Sequence, residues 1–218
     1  MKIALVGGTG DMGTGFAVRW AANHEIIIGS RKAEKAEESA ALVNKLLASD
    51  GKVQGTDNGS AIASADVVVL CVPYEHLVSV TQDLRKFYSS QLVISPVVPM
   101  SYNGKFFEFN PPKEGSAALQ ARALLPEGMR IVSAFHTICA AALQRKDQEL
   151  ETDVFICGDD PDAVSLVSGL GQEIKKLRPL NVGPLAASAL VESLTPMLLN
   201  VARRNKIRDA GIKIVSER

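Results

Sequence analysis

The chain has 218 residues, and its 24 Lys and Arg residues balance its 24 Asp and Glu residues. A chain of this length can bury a substantial core, either in one large domain or in a medium domain with a small appendage. The absence of a charge excess argues against nucleic acid and other polyanions as partners.

The cysteines and the apolar segments indicate the cellular compartment. Cys71, Cys139 and Cys157 lie far apart without a CxxC motif, which argues against a disulfide framework and favours a reducing compartment. We interpret all three as small buried apolar groups. The N-terminal apolar stretch is too short for a signal peptide, and no uncharged run is long enough to cross a bilayer. We therefore expect a soluble, cytoplasmic protein with no membrane partner.

Short apolar runs alternate along the chain with longer helical patterns. The predicted strands are KIALVG, EIIIG, DVVVLCV, QLVISPVV, RIVSAFH and DVFIC. Four segments between them space their apolar residues three and four apart, as amphipathic helices do: GTGFAVRWAA, AEKAEESAALVNKLLA, EHLVSVTQDLRKFY and SAALQARALL. This alternation is typical of βαβ units and predicts an α/β fold, a Rossmann-type doubly wound, mostly parallel sheet with a small C-terminal domain.

The later part of the chain departs from this rhythm. The connection 101–115 contains turn residues and three phenylalanines, which predicts a structured surface loop. We expect a main domain of residues 1–150 and a small domain of residues 151–218, whose first strand can extend the main sheet. Its last segment, ASALVESLTPMLLNVARRN, predicts an apolar helix kinked at Pro196. Because that helix has more apolar surface than one face can bury, we expect it to form a two-fold dimer interface.

A glycine motif follows the first predicted strand. Gly8, Gly10 and Gly13 satisfy G-x-G-x-x-G, in which glycines allow a tight turn, close approach of a pyrophosphate and packing of the helix on the strand. A pyrophosphate would then lie at the positive end of the following helix. The turn lacks the Lys and Ser/Thr ending of a P-loop, so it favours a dinucleotide over a triphosphate. A turn that serves helix packing alone is the alternative interpretation.

The end of the second strand distinguishes NADP from NAD. NAD-binding folds usually place Asp or Glu there, whereas this strand ends in Ser30, Arg31 and Lys32, with Lys35 one turn into the helix. A guanidinium, an ammonium and a hydroxyl suit a 2′-phosphate, which a carboxylate would repel. This pattern predicts NADP, the alternative being a solvated basic helix start.

Several motifs together resemble one family, the F420-dependent NADP oxidoreductases, over essentially the whole chain. The motifs are LVGGTGDMG, IIIGSRKAEKAE, VPYEHLVSV, ISPVVP, VSAFHTICAA, VFICGDD, LRPLNVGPL and LVESLTPMLLN. These enzymes exchange a hydride between NADP and the deazaflavin coenzyme F420. The resemblance implies two domains, with the nicotinamide and deazaflavin rings stacked in the cleft between them, and usually a homodimer.

The resemblance also implies site residues, matched motif by motif. The pyrophosphate turn corresponds to Thr9, Gly10, Asp11 and Met12, and the 2′-phosphate site to Ser30, Arg31 and Lys35. The loops after the fourth and fifth strands carry Pro73, His76 and Val98, where the ribose and nicotinamide should pass. The backbone of Ala141 is expected near the carboxamide.

The HTI segment, with His136 and Ile138, is expected to contact the second ring. Hydride transfer between two rings needs no protein nucleophile or base, so we predict positioning residues and no catalytic residue. His136 is expected to be a coenzyme contact, with general acid and satisfied strand-end residue as alternatives. Trp20 is expected in the core.

Other functions share parts of this pattern. A flavin reductase that transfers the hydride to FMN or FAD, like the cytosolic domain of the six-transmembrane metalloreductases, is the principal alternative. A 3-hydroxyacid or imine reductase would need a longer second domain, and an NADPH sensor would need only the first half of the chain. The family commonly has proline at the position of Cys139, so this loop gains a backbone N–H and greater conformational freedom in the present chain. His136 and Cys139 alone are too few for a zinc site, so we predict no metal.

Overall fold

The computed structural model describes residues 1–48 and 52–216. Its strands are β1 (Lys2–Val6), β2 (Glu25–Ser30), β3 (Val53–Asp57), β4 (Val67–Leu70), β5 (Leu92–Ser95), β6 (Met100–Tyr102), β7 (Phe107–Phe109), β8 (Ile131–Ser133), β9 (Asp153–Gly158) and β10 (Arg178–Gly183). Its α-helices are α1 (Asp11–Trp20), α2 (Ala33–Leu47), α3 (Asn58–Ala63), α4 (Tyr74–Asp83), α5 (Ala117–Leu124), α6 (Ala140–Gln144), α7 (Pro161–Gln172), α8 (Ser188–Glu192) and α9 (Leu194–Asn205). Short 3-10 turns cover Arg85–Phe87 and Leu185–Ala187.

Eight of these strands form one sheet in the order β10-β9-β8-β5-β4-β1-β2-β3. β8 and β9 pair antiparallel, and the other neighbouring pairs in this sheet are parallel. The chain runs from β1 to one edge and then returns to β4 on the other side of β1. This reversal is a topological switch point, where doubly wound sheets bind their ligands. The predicted Rossmann-type fold is confirmed.

Every predicted strand and helix is present, whereas β3 and β10 are not predicted from the sequence. Both are edge strands, and β3 is VQGTD, a partly exposed segment without an apolar run. β10 is RPLNVG, in which a proline is tolerated because the strand lies at the edge. The predicted structured loop 101–115 contains the antiparallel hairpin of β6 and β7, which packs against α9.

Apolar clusters fill both faces of the sheet. Trp20 is fully buried, as expected; its ring stacks on Phe16 with centroids 4.5 Å apart, and its Nε1 donates to the carbonyl of Leu170 at 3.0 Å. The expectation that all three cysteines are buried is wrong in part. Cys157 is buried, but Cys71 and Cys139 are only half-buried because they lie at the carboxyl end of the sheet, beside its openings.

The sheet continues past residue 150, because β9 and β10 extend it. The division into residues 1–150 and 151–218 therefore stays a prediction. The expected kink at Pro196 is instead a break between two helices: α8 ends at Glu192 and α9 begins at Leu194. Proline has no N–H to bond the carbonyl four residues earlier, which is that of Glu192.

The segment Leu185–Asn205 is long and apolar enough to cross a membrane by length and composition alone. Its Glu192, however, is fully buried against protein. The carboxylate accepts hydrogen bonds from the backbone N–H groups of Ala117 and Ala118, at 2.8 and 3.0 Å. These are the first residues of α5, so Glu192 joins α8 to that helix. Burial raises the pKa of this carboxyl to about 7.

Candidate functional site

A cavity of about 1030 Å³ opens at the carboxyl ends of the central strands, at the switch point. Its walls are the turn between β1 and α1, the start of α2, and the connection from β4 into α4. A second cavity, of about 320 Å³, shares several lining residues with the first: Met12, Val72, Pro73, Pro96 and Val97. The two cavities therefore adjoin, and we call the first the nucleotide cavity and the second the ring cavity.

Each glycine of the motif has a distinct role at this site. A Cβ on Gly8 would lie 2.6 Å from the Cβ and the carbonyl oxygen of Leu5, so only glycine fits the tight turn. A Cβ on Gly13 would lie 2.3 Å from the Cα of Gly8, so glycine lets α1 pack directly on the strand end. A Cβ on Gly10 would meet no atom of the described residues within 4 Å, since this residue faces the open cavity. The turn thus combines two packing glycines with one that leaves room for a ligand.

The N-terminus of α1 lies beside this open glycine. Gly10 is the N-cap residue, and no side chain of the described chain caps the helix there. The first N–H groups of a helix have no partners within the helix, and they carry the positive end of its dipole. Both features favour an anion such as a pyrophosphate at this position.

Asn58 holds the turn between β1 and α1 through a hydrogen bond to its backbone. This residue was not assigned to the site from the sequence. Its side chain is 7% exposed, and its Oδ1 accepts the N–H of Gly7 at 3.1 Å, where Gly7 has a left-handed φ of +68°. Asn58 also lines the nucleotide cavity. A possible signal was the Asp-Asn-Gly sequence 57–59, but β3, which positions it, was not predicted.

Basic side chains surround the far end of the nucleotide cavity. Arg31, Lys32 and Lys35 are exposed there, and across residues 1–48 and 52–216 none of them forms an ion pair. Ser30, at the end of β2, is buried and its Oγ accepts the N–H of Lys32 at 3.3 Å. The nearby carboxylate of Asp57 is already bonded to the N–H and hydroxyl of Ser60, at 2.9 and 2.6 Å. The free positive charge can therefore act on a bound phosphate.

All but one of the predicted site residues line one or both of the two cavities. The nucleotide cavity is lined by Thr9, Gly10, Asp11, Met12, Ser30, Arg31, Lys35, Pro73 and His76. The ring cavity is lined by Met12, Pro73, Val98, His136 and Ile138. Ala141 lines neither; its neighbour Ala140 lines the ring cavity. Sequence reasoning missed Thr195, which reaches the ring cavity from α9.

His136 is held at the ring cavity by two hydrogen bonds. Its Nε2 lies 3.3 Å from the hydroxyl of Ser133, and its carbonyl accepts the hydroxyl of Thr195 at 2.8 Å. Its Nδ1 is buried without a hydrogen-bond partner among the described residues. Burial lowers the pKa of this imidazole to about 4, so it is neutral at physiological pH. A neutral imidazole can donate one hydrogen bond and accept another. It is not an imidazolium, so it has no acidic proton to supply as a general acid near pH 7.

The residue before His136 has an uncommon backbone conformation. Phe135 is fully buried with φ +70°, in the left-handed region that residues with bulky side chains rarely adopt. Its ring packs edge-on against Phe16 and Trp20, at centroid distances of 5.3 and 5.6 Å. Core packing thus holds the turn that brings His136 to the cavity, and such strain often marks a functional site.

Within residues 1–48 and 52–216, no group of three His, Cys, Asp or Glu residues is arranged to hold a metal ion. The Sγ of Cys139 donates to the carboxylate of Asp209 at 3.2 Å.

Comparisons with known proteins identify relatives of this chain. The family model described as "NADP oxidoreductase coenzyme F420-dependent" matches residues 2–99. The F420-dependent NADP reductase of Methanocaldococcus jannaschii is 37% identical, with 99% of both chains covered. That of Methanothermobacter thermautotrophicus is 38% identical, with 99% of this chain and 95% of the relative covered.

A crystal structure from Arthrobacter sp. FB24, named as an F420-dependent NADP-reductase, has the same fold. Its TM-score is 0.83 at 21% identity, covering 99% of this chain and 100% of that one. The shared fold and the full-length sequence relationship are separate findings, and the sequence relationship shows the family. The chain belongs to the family of F420-dependent NADP reductases.

Proposed function

We propose that this protein transfers a hydride directly between NADP(H) and coenzyme F420. The observation that carries the proposal is the adjoining pair of cavities, with an uncapped helix end and free cations in one and a neutral, buried histidine in the other. Nicotinamide supplies the carbon that donates or receives the hydride, and the deazaflavin ring supplies its counterpart. The full-length similarity to F420-dependent NADP reductases supports this pair of coenzymes.

The nucleotide cavity fits NADP(H) through three features. Gly10 leaves space for close approach of the pyrophosphate, and the first N–H groups of α1 face that space. Arg31 and Lys35 offer a guanidinium and an ammonium to the 2′-phosphate, and Ser30 adds a hydroxyl. We propose that Pro73 and His76 contact the ribose side, and that the backbone near Ala141 meets the carboxamide.

The ring cavity fits a planar second ring. Val98, Ile138 and Pro73 supply apolar walls, and the neutral imidazole of His136 adds a polar group to the lining. The residues of this cavity align and enclose the two rings. Alignment of this kind contributes up to roughly 7 to 11 kcal/mol in favourable cases, so no protein nucleophile or base is required. We propose that His136 positions the ring, and that the proton which accompanies hydride reduction of F420 comes from solvent and not from this imidazole.

Isotope transfer tests this function. With NADPH deuterated at the transferred position, we expect deuterium on the central ring carbon of F420, because a direct transfer does not exchange with solvent. Mass spectrometry of the reduced F420 measures the label. We expect His136→Ala to weaken coenzyme binding or alignment without abolishing turnover.

Three results would contradict these expectations. Loss of the label to water would exclude direct transfer. Turnover with FMN or FAD but not with F420 would replace the proposed acceptor with a flavin. Complete inactivity of His136→Ala with normal binding of both coenzymes would give the imidazole a chemical role.

We also propose that the protein is a cytoplasmic homodimer whose interface includes α8 and α9. Leu190, Met197 and Val201 expose 68%, 46% and 41% of their surface on these helices, which is a large apolar area for a free surface. In the proposed two-domain arrangement, residues 151–218 complete the ring cavity of residues 1–150, and the bond from Thr195 to His136 supports this.

Light scattering at micromolar concentration tests the dimer. We expect a mass of two 23.3 kDa chains, and we expect Met197→Lys with Val201→Lys to halve it, because buried lysines oppose association. A matched pair of surface substitutions on α2, Leu42→Lys with Leu46→Lys, should leave the mass unchanged, since these exposed residues lie on a different helix. A single-chain mass for the unchanged protein would refute the proposal.

A further inference from the structure

We propose that Arg19 is a positioning residue for hydride transfer, one that sets the distance between the pyrophosphate turn and the ring cavity. It does so by clamping α1 to the segment that contains α6. The proposal rests on the function proposed above, since it concerns the alignment of the two coenzymes in the same site.

The guanidinium of Arg19 donates to backbone carbonyls through each of its three nitrogens. Five hydrogen bonds, all between 2.7 and 3.1 Å, reach carbonyls of residues 142–148, more than 120 positions away in sequence. Nε bonds Leu143, Nη1 bonds Lys146 and Gln148, and Nη2 bonds Ala142 and Arg145. Arginine has five N–H donors in a fixed planar fork, so the side chain is fully engaged.

These carbonyls lie at the end of α6 and in the turn that follows it. A short helix of five residues leaves most of its carbonyls without partners inside the helix. Arg19 satisfies them from a neighbouring helix and places its positive charge at the negative end of α6. The side chain therefore fixes the position of the C-terminal end of α6 relative to α1.

Two further contacts tie α6 to the start of α1. A Cβ on Gly15 would lie 2.6 Å from the Cβ of Leu143, so glycine permits the two helices to touch. Gln144 donates to the carbonyl and the carboxylate of Asp11, at 3.1 and 3.0 Å. α1 and α6 are thus joined at two places. Arg19 bonds the α6 segment near the end of α1, and Asp11 bonds Gln144 at the start of α1.

α6 begins at the ring cavity. Ala140, its first residue, lines that cavity, and Ile138 and His136 immediately precede it. A shift of α6 along α1 would displace these residues relative to Gly10 and the pyrophosphate turn. Since a misplacement of about 1 Å can cost about a hundredfold in rate, this clamp affects alignment more than binding of either coenzyme.

Arg19→Met and Arg19→Lys test the clamp, with Arg122→Met as a matched control. Arg122 is exposed, makes a long 3.8 Å ion pair with Asp159 and lines neither cavity. In Arg19→Met we expect the single-turnover rate of hydride transfer to fall by about tenfold or more, while the Kd of NADPH changes less than about threefold. Lysine keeps the charge but not the planar fork, so Arg19→Lys should recover part of the rate. The control should match the unchanged protein.

Hydrogen exchange gives a readout that does not depend on turnover. In Arg19→Met we expect faster amide exchange in residues 139–148, with the exchange of β1 and β4 unchanged. If Arg19→Met is too unstable to study, Gly15→Ala displaces Leu143 while leaving the guanidinium in place, and the same loss of rate with normal NADPH binding is expected.

The outcomes separate the two proposals. Absence of turnover by the unchanged protein with F420 would overturn the proposed function, and exchange in residues 139–148 would still decide whether the clamp exists. A folded Arg19→Met variant with a normal transfer rate would overturn the positioning role. A lower melting temperature with an unchanged rate and Kd would likewise show a purely structural residue.

Discussion

Replacing Arg31 by Ala should weaken NADP binding by about 1.5 to 3 kcal/mol, roughly 10- to 150-fold in Kd, and should leave NAD binding almost unchanged. The reason is that Arg31 is exposed at the nucleotide cavity and forms no ion pair with the described residues. Its charge is therefore available to the 2′-phosphate, which NAD lacks. Calorimetric titration of the variant with each dinucleotide measures both constants.

The matched control is Lys45→Ala, which removes a positive charge at the opposite end of α2. It should change both Kd values by less than about twofold, because exposed charges that far apart are screened by salt. Equal weakening of NADP and NAD in the Arg31 variant would show that the residue contacts a group that both dinucleotides share. The assignment of the 2′-phosphate would then be wrong.

The second large effect is a difference in stability between two substitutions in the glycine motif, Gly13→Ala and Gly10→Ala. Gly13→Ala should destabilise the fold by about 3 kcal/mol or more, because its Cβ would lie 2.3 Å from the backbone of Gly8 and α1 would have to move. Gly10→Ala should leave the free energy of unfolding within about 1 kcal/mol of its original value, since its Cβ enters open space. Urea unfolding measures both.

Binding should show a different pattern from stability. Gly10→Ala should weaken NADP and NAD alike, at least tenfold, because the added methyl group occupies the space through which the pyrophosphate approaches. The two variants therefore serve as controls for each other: one changes the fold, the other the ligand space. Normal dinucleotide affinity in a stable Gly10→Ala variant would place the pyrophosphate elsewhere.

The amino-acid sequence by itself predicted the six inner strands of the sheet and the turn at which the nucleotide cavity opens. Short apolar strands alternating with amphipathic helices predict a doubly wound sheet because both patterns are local: a strand buried on both faces is a continuous apolar run, and a helix repeats its apolar residues about every 3.6 positions. The glycine motif and the basic residues after β2 are also local signals, since each lies within one βα connection. Their meeting at one sheet edge follows from the rule that the carboxyl ends of parallel strands lie together.

Edge strands carry a weaker sequence signal. β3 and β10 each pair on one side only, so they need no continuous apolar run and can contain glycine or proline. For the same reason Asn58, which begins the helix after β3, could not be assigned to the site in advance.

The tertiary structure alone decided the contacts that hold the site together. Asn58 meets Gly7 across 51 positions, Glu192 meets α5 across 74 and 75, and Arg19 meets the end of α6 across 123 to 129. In the sequence each is an ordinary polar residue within a helix, because nothing local reveals which distant backbone group it will satisfy. Buried backbone N–H and C=O groups must find partners, and only the packed fold determines which side chain is near enough to supply them.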